Sequence, residues 1–162
     1  DLQISHMDIN QLLEDILKRL RPIADKRNID LILDSFRPVE ADVDELKFTS
    51  AISNLVENAI KYNHTDGKVT VSAERKRKEV VLTIADTGNG IDETFRERIF
   101  EPFFRVDKSR SRKIGGVGLG LAMVREIVRV HDGEIEVHGN EQGGTTFEVK
   151  MSIERLTIKS QV

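Results

Sequence analysis

Asn54-Leu55-Val56-Glu57-Asn58-Ala59-Ile60-Lys61-Tyr62 is the stretch that decides how the chain reads. It forms the second half of an expected amphipathic helix beginning near Val43. Phe48, Ile52, Leu55, Val56 and Ala59 repeat at i, i+3, i+4 spacing and make an apolar stripe. Asn54, Asn58 and Lys61 fall at i, i+4, i+7 and make a polar row roughly opposite. Asn is a poor helix former, and solvated helix faces usually carry Glu and Lys instead. Two neutral amide oxygens followed by an amine suit a polyphosphate with its Mg²⁺. The same row also fits a plain solvent-facing helix, so the stretch needs support from the rest of the chain.

Outward from that helix the pattern alternates between helix and strand. Ile9, Leu12, Leu13, Ile16, Leu17 and Leu20 mark a helix from Asp8 to Arg27, with Asp8 as its cap. Pro22 predicts a kink or an early end there. Residues 29–33 and 39–43 read as short strands. Val69, Val71 and Ala73 alternate with polar residues, and residues 80–85 form an apolar run suited to a central strand. The turn between them carries Arg75, Lys76, Arg77 and Lys78, a solvated tip that discourages edge pairing. Residues 91–99 suggest a short helix and residues 119–131 a longer one, with Leu121, Val124, Ile127 and Val128 inward. Residues 134–137 and 146–151 read as a closing antiparallel pair.

The chain has 162 residues, 38% hydrophobic and 33% charged, which suits one α/β or α+β domain with its own core. It has no cysteine, which removes disulfides and thiolate chemistry. A net charge of -3 gives no reason to expect nucleic acid as a partner. No apolar run reaches the roughly 18 residues of a membrane span, and no signal peptide is visible. The sequence opens at Asp1 without Met, as a piece of a longer protein would, and Ser5-His6-Met7 resembles a cloning scar.

Two glycine-rich stretches bear on function. Asp86-Thr87-Gly88-Asn89-Gly90 follows the central strand. A carboxylate at a strand end can accept from an exocyclic amine, while glycines bring the backbone close to a flat ring; a simple Asp turn has the same composition. Gly115-Gly116-Val117-Gly118-Leu119-Gly120-Leu121 precedes a helix, where N–H groups and the helix dipole favour an anion, or where a hinge would bend. Neither the dinucleotide Gly-x-Gly-x-x-Gly spacing nor a Gly-x-x-x-x-Gly-Lys-Ser/Thr loop is present.

In this order the motifs resemble the catalytic, ATP-binding domain of sensor histidine kinases, whose ATP fold is shared with gyrase B, MutL and the heat-shock chaperones of that class. Asn54-x-x-x-Asn58-Ala59-x-Lys61-Tyr62 resembles the Asn box, and Asp86-x-Gly88-x-Gly90-Ile91 the first Gly box. Phe100-Glu101-Pro102-Phe103-Phe104-Arg105-Val106-Asp107 resembles the Phe box, and Gly116-Val117-Gly118-Leu119-Gly120-Leu121 the second Gly box. Gln142 stands where the family often has a further glycine, and His131-Asp132-Gly133 replaces a commoner His-Gly-Gly. His131 itself reads as structural.

The resemblance implies a Bergerat-type two-layer α/β (α+β) sandwich, with a mixed, mostly antiparallel sheet and helices on one face. It implies ATP and Mg²⁺ as cofactors. Asn58 becomes the metal ligand, Asn54 contacts phosphates or the metal's water, and Lys61 and Arg105 reach the phosphates. Tyr62 packs on adenine, Asp86 accepts from its amino group, and Gly88, Gly90, Ile91 and Phe104 shape the pocket. Gly116, Gly118, Leu119 and Gly120 let a lid over about 105–117 close, and Thr145 helps hold Asp86 through water. The domain is expected over 9–152, with 1–8 a lead-in from an upstream dimerisation domain or a cloning remnant, and 153–162 a tail.

In hydrolysing relatives a Glu one turn before the metal-binding Asn activates water. Here that place holds Asn54, and Glu57 lies about 60° around the helix from it. The expected reaction is therefore transfer of the γ-phosphate to a histidine on a separate dimerisation domain. None of His6, His64, His131 or His138 has the neighbours of such an acceptor. A response regulator downstream, a monomeric isolated domain, a homodimeric parent and a cytoplasmic location beside a membrane-anchored sensor complete the expectation. The alternatives are a slow ATPase switch using Glu57, a nucleotide sensor, and a serine-directed kinase of the anti-sigma type.

Overall fold

The computed structural model describes residues 1–104 and 120–152. Its elements run β1 (Ile4–Asp8), α1 (Ile9–Asp25), β2 (Asp30–Leu33), β3 (Glu40–Asp44), α2 (Glu45–Lys61), β4 (Lys68–Lys76) and β5 (Glu79–Asp86). Two short 3₁₀ turns (Glu93–Phe95 and Arg98–Phe100) follow, then α3 (Gly120–Val130), β6 (Glu134–Gly139) and β7 (Thr145–Ser152). Five strands form the main sheet in the order β2-β4-β5-β7-β6. β2 and β4 are parallel, and the remaining pairs are antiparallel. The fold is thus the expected two-layer α+β sandwich with a mixed, mostly antiparallel sheet.

The period-2 pattern sets which face of the sheet is covered. Val69, Val71, Val80, Leu82, Ile84, Phe147 and Val149 point one way and are buried. The helices cover that face, and α2 packs between α1 and α3. The stripe of α2 (Phe48, Ala51, Ile52, Leu55, Val56, Ala59 and Ile60) lies wholly in this core. Each large aliphatic side chain so placed stabilises the fold by about 1.5–3 kcal/mol.

Helix starts follow the capping chemistry. Asp8 accepts from Gln11 N at 3.2 Å and Asp44 from Lys47 N at 3.0 Å, so α1 and α2 each begin on an Asp cap. Helix α2 therefore starts two residues after the Val43 read from the sequence. Helix α1 runs through Pro22 to Asp25 rather than stopping early. The proline removes one N–H donor near the last turn, and the buried stripe continues past it through Ala24, which holds the turn in place. Residues 91–99 give two 3₁₀ turns instead of one helix.

The sequence offered no strand before residue 9, yet residues 4–8 pair antiparallel with β3, Ile4 opposite Asp44 and Asp8 opposite Glu40. The N-terminal backbone also reaches the cap of α2, where Gln3 N donates to Asp44 Oδ2 at 2.8 Å. His131 ties the far end of α3 to the same place. Its Nδ1 lies 2.8 Å from Ile127 O, and its Nε2 accepts from Asp44 N at 3.0 Å. Both ring nitrogens are engaged in a buried site, which makes this histidine a structural link.

Candidate functional site

The C-terminal half of α2 and the C-terminal end of β5 come together at one end of the sheet. Asn54, Asn58 and Lys61 share an edge of α2 and are half-buried. Asn58 Nδ2 donates to Asn54 Oδ1 at 3.3 Å. That contact uses one Asn58 N–H and leaves its carbonyl oxygen out of the bond. Gly120, the first residue of α3, abuts the same amide, since a Cβ there would lie 2.5 Å from Asn54 Nδ2. A larger residue there would displace the Asn54 amide.

Asp86 ends β5 and is buried. Gly88 N and Thr145 N donate to its Oδ1 at 2.9 and 3.0 Å. Among the described residues no donor lies on Oδ2, which leaves an oriented acceptor at the strand end. Burial pushes the Asp86 carboxyl above its ordinary pKa, opposed by the N–H groups of Gly88 and Thr145 and by the nearby His64. Thr145 thus holds Asp86 directly, through its backbone.

The backbone around Asp86 is packed too tightly for side chains. A Cβ on Gly88 would sit 2.6 Å from the Tyr62 carbonyl oxygen, and one on Gly144 would overlap the Asp86 carbonyl oxygen. Gly90 has φ +74° and faces the Gly143 carbonyl. Tyr62 caps α2 and is part-exposed, and its carbonyl oxygen lies against Gly88. Ile91 packs against the core beneath this turn.

The Phe-rich stretch packs on the core and on its own neighbours. Phe100 is buried edge-on to Phe147 with centroids 6.3 Å apart, and the Arg125 guanidinium lies 5.3 Å from its ring. Phe104 stacks obliquely on Phe95 at 5.9 Å, under the guanidinium of Arg98 at 4.5 Å. Arg105, Gly116, Gly118, Leu119 and the expected lid over about 105–117 lie outside the described residues.

Two amides absent from the sequence reading, Asn63 buried and Asn140 half-buried, organise this end of the fold. Asn63 accepts from His64 N (2.8 Å) and Thr87 Oγ1 (3.2 Å), and donates to Lys68 O (2.9 Å). Asn140 donates to Asp86 O (2.9 Å) and Thr146 Oγ1 (3.1 Å), and accepts from Gly144 N (3.0 Å) and Gln142 N (3.2 Å). The positive φ of that turn falls on Gly143, so Gln142 occupies a position that needs no glycine. An Asn just outside a Gly-rich turn was the one signal available for Asn140.

Glu57 stays beside one member of this edge, Asn54. It lines a groove of 310 Å³ with Arg19 and Leu20 of α1, Thr49, Ser50, Ser53 and Asn54 of α2, and Met123 of α3. Asn58 and Lys61 do not line that groove. On the uncovered face of the sheet Glu136, His138 and Glu148 cluster, but the Lys150 ammonium lies 3.9 and 3.4 Å from the two glutamates and balances them. Among the described residues no helix is long and apolar enough to cross a membrane.

An amide-lined helix edge, an oriented carboxylate and glycines pressed against it define a nucleotide-binding fold of the ATPase type. Residues 43–155 match the histidine kinase-, DNA gyrase B- and HSP90-like ATPase family, and the chain belongs to it. Within that family it is similar to the sensor-like histidine kinase SenX3 of Mycobacterium tuberculosis, 35% identical over 144 residues, which are 89% of this chain and 35% of that protein. The chain therefore spans about a third of the length of the curated relatives it matches. The catalytic domain of histidine kinase ThkA superposes with a TM-score of 0.84 at 25% identity, covering 94% of this chain and 97% of that one. Full-length ShkA in complex with AMPPNP superposes with a TM-score of 0.83 at 28% identity, covering 93% of this chain and 31% of that one.

Proposed function

We propose that this chain is the ATP-binding catalytic domain of a two-component sensor histidine kinase, and that it donates the γ-phosphate of ATP to a histidine on a separate dimerisation domain. The observation that carries the reading is the pairing of Asp86 with the Asn54–Asn58–Lys61 edge. A base acceptor and a phosphate-binding row stand at one end of the sheet, on rigid elements. The oriented Oδ2 of Asp86 accepts the adenine amino group, which guanine lacks at that position. Tyr62 covers the ring, and Gly88 and Gly90 let the backbone approach it. Lys61 and Arg105 bring positive charge to the phosphates.

The donor set fits Mg²⁺, a hard cation that prefers neutral and anionic oxygens and keeps part of its water shell. Asn58 would hold it through its carbonyl oxygen, with Asn54 beside it. Bound metal would neutralise charge on the phosphate oxygens. The chain's own contribution is positioning: an acceptor imidazole nitrogen approaches in line, the nitrogen–phosphorus bond forms as the phosphorus–oxygen bond to the β-phosphate breaks, and ADP leaves.

Hydrolysis is disfavoured because Asn54 cannot take a proton from water, and Glu57 lies about 60° around the helix from it. The domain is taken as 9–152 with its lid about 105–117. The parent protein is a cytoplasm-facing, membrane-anchored homodimer that passes its phosphate to a response regulator, as the sensor kinases it resembles imply.

The test mixes this chain with the histidine-bearing domain of its parent and γ-labelled ATP. Label is expected on the histidine domain and none on this chain. Steady phosphate release by the chain alone, abolished by Glu57→Gln, would overturn the reading in favour of an ATPase.

A further inference from the structure

Helix α2 ends at Lys61, and the last carbonyls of any α-helix lack intrahelical donors. At this end Tyr62 N serves Asn58 O at 3.0 Å and Asn63 N serves Ile60 O at 3.4 Å, and a distant side chain adds further donors. Arg27, just past the end of α1, donates through Nη1 to Ile60 O and, at 2.8 Å, to Lys61 O, and through Nη2 to Asn63 O. A planar guanidinium is the side chain able to span three carbonyls, and its charge also suits the negative end of a helix dipole.

The neighbouring backbone is tied to the same loop. Asp66 N donates to Arg27 O at 3.2 Å, and Asp30 N donates to Gly67 O at 2.9 Å. Asn63, whose carbonyl Arg27 holds, uses its side chain to grip Thr87 and Lys68. Thr87 follows Asp86 directly. One guanidinium is therefore linked, through a single buried residue, to both halves of the nucleotide site.

We infer that Arg27 is a positioning residue for ATP: by clamping the last turn of α2 it sets Lys61 and Tyr62 at the correct distance from the base pocket at Asp86. Among the described residues the Arg27 guanidinium bonds only backbone carbonyls. The inference rests on the ATP site proposed above.

The chain contains one tyrosine and no tryptophan, so 3-fluorotyrosine labelling gives a single ¹⁹F resonance, at Tyr62. ATP affinity in Mg²⁺ and this resonance are measured for the wild type, Arg27→Ala, Arg27→Lys and the control Ser35→Ala, each at a temperature where circular dichroism shows it folded. Ser35 bonds Asn10 and Ala73 O at the opposite end of the sheet. Losing the clamp is expected to weaken ATP about tenfold or more in Arg27→Ala and to move the Tyr62 resonance. Arg27→Lys, which keeps the charge but cannot span three carbonyls, should recover only part of both, and Ser35→Ala should match the wild type.

Should Arg27→Ala not fold, Arg27→Lys carries the test by itself, with about threefold weaker binding and a shifted resonance expected. Wild-type affinity and an unmoved resonance in the folded Arg27 variants would overturn the inference and leave the ATP site standing. A wild-type chain that binds no ATP would overturn the site reading and this inference with it.

Discussion

Replacing Asp86 by Asn separates what the carboxylate does for the ligand from what it does to the fold. The Asn carbonyl oxygen can keep both bonds now made to Oδ1, from Gly88 N at 2.9 Å and Thr145 N at 3.0 Å. Its amide NH₂ then takes the place of Oδ2 and confronts the adenine amino group donor to donor. The loss is one charge-assisted hydrogen bond, worth about 1.5–3 kcal/mol. At about 1.4 kcal/mol per decade, that corresponds to roughly 10- to 150-fold weaker ATP binding.

The apo fold should respond in the opposite direction. Burial raises the Asp86 pKa above its unfolded value. The folded state therefore holds its proton to higher pH, and stability falls as pH rises from about 4, the unfolded value, through the folded one. Above that window the ionised, buried carboxylate costs the fold its full penalty. Asn removes the penalty, so the variant should melt higher than the wild type at neutral pH and lose that advantage well below pH 4. Calorimetric titration with ATP and thermal melts without nucleotide at several pH values measure both effects. A variant that binds ATP within about twofold of wild type, or one that melts several degrees lower at neutral pH, would refute the reasoning.

Three further outcomes follow from the same geometry. Asn58→Ala should abolish most of the difference between ATP affinities measured with Mg²⁺ and with EDTA, leaving the metal-free affinity close to wild type; titrations in both buffers check it. Gly88→Ala places a Cβ 2.6 Å from the Tyr62 carbonyl oxygen, so denaturant unfolding should show a loss of about 1–3 kcal/mol, accompanied by weak ATP binding. Asp44→Ala removes the α2 cap and should cost about 1 kcal/mol at neutral pH. The N–H of Gln3, then that of Lys47, hold the Asp44 carboxyl below its ordinary pKa. Its contribution is thus present above the unfolded value and lost as pH falls through the folded one, so urea midpoints of the two proteins should converge in acid.

Much of this end of the fold could be read before any coordinates. Helix α2 announced itself because a complete apolar stripe and an improbable Asn row lie on one segment. Strand β4 alternates, β5 is a nearly continuous apolar run, and Asp86 stands out as the charge at the end of that run, followed by glycines. What stayed hidden depends on partners far away in sequence. The stretch Ile4–Asp8 has no alternation of its own and is a strand only because β3 offers it an edge. Arg27 looks like any surface cation until the carbonyls of residues 60, 61 and 63 are brought to it. Asn63 and Asn140 sit in stretches that read as plain loop, and the hydrogen bonds they make to Thr87 and to the Asp86 carbonyl are a tertiary fact. The 3₁₀ turns at 93–100 replace an expected helix because the apolar residues there dock individually. Ile99 and Phe100 enter the core, while Phe95 pairs with Phe104.

The account depends most on Asp86 reading adenine while the edge of α2 holds the phosphates. Side-by-side calorimetry of ATP and GTP, each with Mg²⁺ and with EDTA, addresses both halves at once. ATP should bind, more tightly with Mg²⁺, and GTP should give no measurable heat. Equal affinities for the two nucleotides, or no binding by either, would contradict it.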